Sequence, residues 1–95
     1  MNGVPAVATL HFTQNLARHT HCPSAELWAE TVAELLERYF ESWPGVRGYV
    51  LDDQGEVRHH VKVLVDGRNI KDRRKLTDRI NPTSEVYVFQ ALSGG

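Results

Sequence analysis

One segment of the sequence has the apolar spacing of a helix, and segments with the spacing of strands lie on both sides of it. Between Thr31 and Ser42, apolar residues recur every three or four positions, which places them on one helical face. These residues are Val32, Leu35, Leu36, Tyr39 and Phe40. A chain of 95 residues has room for one core, so this face must pack against the strands of a single sheet.

Residues at both ends of this segment predict where the helix begins and ends. Thr31 followed by Glu34 predicts a capping box, in which the hydroxyl and the carboxylate each bind a free backbone N–H. Trp43-Pro44-Gly45 predicts the end, because the residue before a proline is disfavoured in the α conformation. We therefore expect a helix from Thr31 to about Ser42.

Five other segments are expected to form strands. They are residues 6–13, 24–29, 57–65, 68–70 and 85–91. In the first, Ala8, Leu10 and Phe12 share the more apolar face. Asp66-Gly67 predicts a tight hairpin turn between the third and the fourth. A helix on one face of a small mixed sheet of four or five strands is an α+β arrangement with two layers.

The last strand, Glu85 to Ala91, has apolar residues on both faces. Val86 and Val88 point to one side, and Tyr87 and Phe89 point to the other. One helix cannot cover both faces of the sheet. We therefore expect at least one of the two aromatic side chains to lie on an exposed face that partners can reach.

Composition excludes several classes of protein. Eleven basic residues against twelve acidic ones give a net charge of −1, which does not fit a general binder of nucleic acid or of anionic membranes. Cys22 is the single cysteine, so no internal disulfide can form. We find no signal peptide and no apolar run long enough to span a bilayer, and we expect one cytoplasmic domain over residues 1–95.

Three groups of polar residues are candidates for a site. His19, His21 and Cys22 lack the four ligands at known spacing of a zinc site, so no metal is expected. The acidic residues 30, 34, 37 and 41 form a stripe that is either a solvated face or a surface that steers partners. The basic residues between 68 and 75 indicate a solvated loop or a contact at the rim of a partner interface.

The end of the sequence carries the strongest chemical signal. Strand residues 85–91 run almost directly into Leu92, Ser93, Gly94 and Gly95. At pH 7 a terminal carboxylate is ionised, and its oxygen can attack the α-phosphate of ATP held by another protein. Glycine has no Cβ, so such a tail fits a narrow channel and leaves its carbonyl carbon open to attack by sulfur or by an amine.

Three segments in this order, TVAELLERYF, DDQGEVRHHVKVLVDGRNI and EVYVFQALSGG, resemble the MoaD/ThiS family of ubiquitin-like sulfur carriers. The resemblance covers nearly the whole chain and is nearer to the small subunit of molybdopterin synthase than to the thiamine-pathway carriers. It implies a ubiquitin-like β-grasp fold and a flexible tail at residues 91–95. It also implies that the protein is not an enzyme but a co-substrate, or a non-catalytic subunit of a synthase.

The resemblance further implies roles for particular residues and partners. Gly95 would be adenylated and converted to a thiocarboxylate, and Gly94, Ser93, Leu92, Phe89 and Tyr87 would contact partners. A MoeB/ThiF-like adenylating enzyme would use ATP, with no cofactor bound to this chain. A sulfur-accepting enzyme, such as the large subunit of molybdopterin synthase, would receive the sulfur.

The sequence is also compatible with other functions. Gly95 could instead be joined to lysines of target proteins by a ubiquitin-like modifier, which needs the same adenylate. The sulfur could serve thiamine or cysteine synthesis, because Gln90-Ala91 and the segment from His19 to Ser24 depart from the family pattern. An interaction domain with an incidental Gly-Gly end is a third possibility.

Overall fold

The computed structural model describes residues 7–13 and 20–90. Leu92, Ser93, Gly94, Gly95 and His19 lie outside these residues, so the expectations about them stay predictions. Within the described ranges the chain forms five strands and two helices. The strands are β1 (Ala8–Phe12), β2 (Ala25–Leu27), β3 (Val61–Val65), β4 (Arg68–Asn69) and β5 (Glu85–Gln90). The helices are α1 (Val32–Ser42) and α2 (Pro44–Val50).

The five strands form one mixed sheet in the order β2-β1-β5-β3-β4. β1 and β5 pair in parallel, with Leu10 beside Val86, although these two strands are the first and last of the five described strands. The other neighbours are antiparallel. The predicted α+β class with a mixed sheet and one main helix is confirmed. β5 occupies the centre of the sheet, so the chain reaches Gln90 between two neighbouring strands.

The core lies between α1 and one face of the sheet. Leu10, Val63, Val86 and Val88 on the sheet are 0% exposed, as is Leu35 on the helix. Each such side chain contributes roughly 1.5–3 kcal/mol when it is removed from water. The alternation that predicted the faces of β1 and β5 is therefore confirmed: the even-numbered residues of both strands meet the helix.

The start of α1 is held by its own cap and by a distant loop. The Thr31 hydroxyl accepts a hydrogen bond from the N–H of Glu34 at 3.2 Å, as predicted. The Glu34 carboxylate, however, accepts from the N–H of Glu30 at 2.8 Å, one residue before the predicted partner. The N–H groups of residues 32 and 33 donate to the carbonyls of Asp78 and Leu76. The loop before β5 therefore satisfies donors that an isolated helix would leave free.

Leu76 accepts a strained backbone to make this contact. Its φ is +54°, in the left-handed region that costs a branched residue roughly 1–2 kcal/mol. Its side chain is 3% exposed in the core, and its carbonyl receives the N–H of Ala33 at 2.9 Å. Both contacts require this backbone turn, and together they offset the strain.

Pro44 ends one helix and begins another. Trp43 caps the C-terminus of α1, as the sequence predicts. Pro44 then occupies the first turn of α2, a position where its missing N–H costs nothing. The sequence does not predict α2, because PGVRGYV contains two glycines and few strong helix formers. Burial of Val46 and Val50, at 1% and 0% exposure, stabilises it instead.

The predicted strand over 57–65 is wrong for its first four residues. β3 begins only at Val61. The Arg73 guanidinium donates to the carbonyls of Arg58 and Val61 at 2.8 and 2.7 Å. The N–H of Val57 donates to the carbonyl of Arg73. A side chain from a later loop thus takes the carbonyl that a strand partner would need.

The Asp66-Gly67 turn has the predicted conformation. Both residues have positive φ, +51° and +85°, which a two-residue hairpin of this type requires. The Asp66 carboxylate also accepts from the N–H of Glu85 and the hydroxyl of Ser84, each at 2.9 Å. The turn therefore fixes where β5 begins as well as where β3 ends.

Tyr39 is a core residue whose hydroxyl forms a hydrogen bond. It is 1% exposed, and its hydroxyl donates to the carbonyl of Pro23 at 2.7 Å. Burial raises the pKa of this phenol, consistent with a hydroxyl that stays protonated and donates. Tyr39→Phe should lower the free energy of unfolding by about 1 kcal/mol in urea denaturation, because the carbonyl loses its partner.

Tyr87→Phe is the matched control, because the hydroxyl of Tyr87 has no hydrogen-bond partner among the described residues. It should leave the urea midpoint unchanged. An equal loss of stability in both variants would contradict the role given to the Tyr39 hydroxyl.

Asp72 organises the loop before β5. Its pKa is lowered to about 2, chiefly by the N–H of Lys75, then by the hydroxyl of Thr77, with further donation from the N–H groups of Thr77 and Arg74. These bonds favour the ionised carboxylate in the folded state. Stability from this group is therefore fully present above its unfolded pKa of about 3.9 and is lost as the pH falls toward 2.

Asp72→Asn removes this ionisation. Wild type should be more stable than Asp72→Asn above about pH 4, and the difference should shrink between pH 4 and 2. Urea denaturation at a series of pH values measures it. A difference that does not depend on pH would show that the charge of Asp72 does not stabilise the loop.

Candidate functional site

The sheet face opposite α1 is accessible to solvent. We call it the open face and define it by residues of the three central strands: Thr9, His11, Lys62, Leu64, Glu85, Tyr87 and Phe89. Tyr87 is 42% exposed and Phe89 is half-buried, whereas Val86 and Val88 are 0% exposed. The prediction that these two pairs face opposite sides is confirmed, as is the exposure of at least one aromatic side chain.

Tyr87 lies at the centre of the open face. The sheet register places His11 on one side of it and Leu64 on the other. The His11 ring stacks on the Tyr87 ring, with centroids 4.5 Å apart and planes 19° from parallel. One face of the tyrosine is therefore covered by protein, which restricts its orientation and leaves the rest of the ring available for contact.

His11 is itself held from both ends of its ring. Nε2 lies 2.6 Å from Oε1 of Glu85, and Nδ1 lies 3.3 Å from Oγ of Ser24. The sequence alone does not identify His11 as part of the site. No local signal could have done so, because its contacts depend on the parallel pairing of strands more than 70 residues apart.

Phe89 extends the apolar centre toward the end of β5. It lies opposite Lys62 in the register, and the neighbouring Leu64 is half-buried. The next residue, Gln90, contacts His60 through its side-chain amide at 3.3 Å. Gln90 is the last described residue, so Phe89 and Tyr87 lie two and four positions before residue 91, where the segment that ends in Gly94-Gly95 begins.

His21 and Cys22 pack against other residues of the described part. The exposed His21 ring meets Trp43 edge-on, with centroids 5.0 Å apart. Cys22 is 7% exposed, and burial raises the pKa of its thiol, so it is a core residue and a poor nucleophile. Over residues 7–13 and 20–90, no three His, Cys, Asp or Glu side chains come together as a metal site.

The basic residues between 68 and 75 do not form one patch. Arg73 points inward to backbone carbonyls, and Arg74 lies 3.5 Å from the Glu56 carboxylate. The other three are exposed: Arg68, Lys71 and Lys75. This favours the solvated loop over a surface for polyanions.

Within the acidic stripe, the Glu34 carboxylate forms contacts with neighbouring groups. The N–H of Glu30, and then the guanidinium of Arg38, hold the pKa of Glu34 below its usual value. Arg38 in turn lies over the Trp28 ring, 5.4 Å from its centroid. Glu37 and Glu41 remain exposed.

Neither described helix is long and apolar enough to cross a bilayer.

Comparison with known proteins decides the family. The ThiS family model matches residues 16–95. The chain belongs to the ThiS family. It is 31% identical to small archaeal modifier protein 3 of Haloferax volcanii over 65 residues, which is 68% of this chain and 70% of that protein. The family contains ubiquitin-like sulfur carriers and modifiers, as the sequence resemblance implies.

Solved structures share the fold. The crystal structure of small archaeal modifier protein 1 from Haloferax volcanii superposes with a TM-score of 0.78 at 22% identity, covering 94% of this chain and 99% of that one. A chain of the BexX/CysO complex from Amycolatopsis orientalis gives a TM-score of 0.77 at 18% identity, covering 93% of this chain and 99% of that one. The β-grasp fold expected of this ThiS family member is confirmed.

The assignment of the two sheet faces can be tested through stability. Leu10→Ala, in the core, should lower the free energy of unfolding by about 3 kcal/mol in urea denaturation. Tyr87→Ala removes a larger side chain but should cost only about 1 kcal/mol, the value of its ring contact with His11. Equal losses would mean that Tyr87 belongs to the core and that the open face is wrongly assigned.

Proposed function

We propose that this protein is a sulfur carrier whose Gly95 carboxylate is adenylated and then converted to a thiocarboxylate. Membership of the ThiS family carries the proposal, since the match extends through the last two glycines. The fold supports it: β5, at the centre of the sheet, reaches Gln90, and five residues follow it in the sequence.

The chemistry has two steps, both in the site of a partner enzyme. A carboxylate oxygen of Gly95 attacks the α-phosphorus of ATP, and pyrophosphate leaves to give the acyl-adenylate. Hydrosulfide then attacks the carbonyl carbon, and AMP leaves with a proton released to solvent. A thiocarboxylate results, and no residue of this chain acts as an acid or base. Glycine at positions 94 and 95 keeps the reacting carbonyl unhindered.

The open face is the proposed docking surface for the adenylating enzyme, which would be MoeB/ThiF-like. Tyr87 and Phe89 form an apolar centre with Leu64, and Lys62 and Glu85 provide charges at its edge. Aromatic side chains surrounded by polar groups are typical of the residues that dominate binding energy in interfaces. Docking here would hold the base of the tail, because Phe89 lies one residue before Gln90.

Molybdenum cofactor synthesis is the proposed destination of the sulfur, with the large subunit of molybdopterin synthase as acceptor. This part rests on the sequence resemblance. Thiamine or cysteine synthesis is the alternative among sulfur carriers. The proposal puts these reactions in the cytoplasm, with ATP used by the partner and no cofactor held by this chain.

A second function is favoured by one observation, the 31% identity to a protein named as a modifier. In that case a lysine amine of a target protein attacks the same adenylate, and Gly95 becomes joined through an amide bond. The two functions share the first step and differ in the nucleophile of the second.

Intact-mass spectrometry separates these possibilities. Incubation with ATP, sulfide and a MoeB/ThiF-type enzyme should shift the mass by the replacement of one oxygen by sulfur, located at Gly95 by fragmentation. Deletion of Gly95 should abolish the shift and leave the urea unfolding curve unchanged, because the last described strand ends at Gln90, five residues earlier. Activity that persists after deletion of both glycines would contradict the proposal.

The same assay measures docking. Phe89→Ala should reduce the rate of thiocarboxylate formation more than it reduces stability. Exposed Asn69→Ala, on the edge strand β4, is the control and should change neither. Larger conjugates of this protein in lysate, absent for the Gly95 deletion, would show the modifier function instead.

A further inference from the structure

A pocket lies on the helical side of the sheet, away from the open face. It is a partly open pocket of about 140 Å³ between α1, α2, the loop after α2 and the loop before β5. Its apolar wall consists of Leu36 and Phe40 from α1 with Leu51 and Leu76 from the loops. No residue of the open face lines it. It is therefore separate from the proposed docking surface of the adenylating enzyme.

Two cationic side chains lie at the rim of this pocket. Arg47 and Lys75 both line it, and neither side chain has a hydrogen bond or ion pair within the described residues. Four other arginines donate hydrogen bonds through their guanidinium groups, namely Arg38, Arg58, Arg73 and Arg74. Arg47 instead reaches over Gly55, whose added Cβ would lie 3.8 Å from Nη2.

The rim is positioned before any ligand arrives. The N–H of Lys75 donates to the Asp72 carboxylate at 3.0 Å, within the loop that Asp72 organises. Arg47 lies on α2, which Val46 and Val50 anchor in the core. Glu37 is the one acidic residue that lines the pocket, and it forms no ion pair with either cation. The charges on the lining are thus two positive and one negative.

We propose that this pocket docks a short segment of a partner protein in which an aliphatic residue is followed by acidic residues. A cavity of about 150 Å³ holds a group the size of benzene, so 140 Å³ fits one side chain. Pockets for cofactors and drug-sized molecules are larger, about 300–1,000 Å³. The acidic side chains would pair with Arg47 and Lys75, and Glu37 would accept a backbone N–H of the segment.

This inference goes beyond the proposed function, because it adds a second partner. The open face and the pocket lie on opposite sides of the sheet. An adenylating enzyme on the first and an acidic segment on the second can therefore bind at the same time. The pocket would hold a protein that stays attached while Gly95 changes its chemical state.

Titration by NMR tests the proposal with the peptide acetyl-Leu-Asp-Asp-amide. The methyl signals of Leu36, Leu51 and Leu76 should shift and saturate with a dissociation constant on the order of 1 mM, as expected for a ligand of this size. Acetyl-Leu-Lys-Lys-amide should give no saturating shift. Shifts spread over the open face, or equal response to both peptides, would overturn the proposal.

Two independent variants separate charge from shape. Arg47→Glu with Lys75→Glu should weaken binding of the acidic peptide about tenfold and improve binding of the basic one. Ala33→Leu, at a position that lines the pocket, should fill it and abolish binding with the cations intact. Arg68→Glu with Lys71→Glu makes the same charge change elsewhere and should have no effect. Urea denaturation confirms that each variant is folded.

Two further outcomes decide the ligand class and its independence from Gly95. If 4-methylpentanoate binds as tightly as the peptide, the pocket is a site for a free carboxylate and peptide docking is wrong. Thiocarboxylate formation should be unchanged in the Arg47/Lys75 variant. Failure of the Gly95 assay with a normal titration, or the reverse, tells the two proposals apart.

Discussion

The parallel pairing of β1 with β5 is the contact on which the rest of the structure depends. It places Leu10 beside Val86 under the helix, and it places His11 beside Tyr87 on the opposite side. One register therefore builds the core and the open face together. A shift by one residue would exchange the two faces, exposing Val86 and Val88 and burying Glu85.

The helix depends on a second long-range arrangement. Carbonyls of Leu76 and Asp78 receive the first N–H groups of α1, so the loop before β5 completes the helix start. Asp72 fixes that loop through donors on Arg74, Lys75 and Thr77. The same loop supplies Lys75 and Leu76 to the helical-side pocket. The stability of the helix start and the shape of the proposed docking pocket therefore arise from one group of hydrogen bonds.

Features with local causes could be predicted from the sequence. The spacing of apolar residues located α1, the Asp66-Gly67 pair located the turn, and alternation separated Val88 from Tyr87. Each of these signals lies within a few neighbouring residues. The end of α1 at Trp43 is of the same kind, since Pro44 restricts the residue before it.

Features with distant causes could not be predicted. Residues 57–60 leave the strand because of the Arg73 side chain, and α2 forms because Val46 and Val50 are buried. The contact of His11 with Glu85 joins residues 74 positions apart. The pocket at Arg47 and Lys75 depends on how two loops meet a helix. None of these has a signature that sequence spacing can show.

The central position of β5 has a consequence for how the protein is made. Synthesis proceeds from the N-terminus, so β1 and β3 emerge with a gap between them that only residues 85–90 can fill. Pairing of segments so far apart in sequence comes late in folding. A prematurely terminated chain lacking this strand would have no sheet centre. Only a nascent chain that has been translated through Gln90 can complete the sheet.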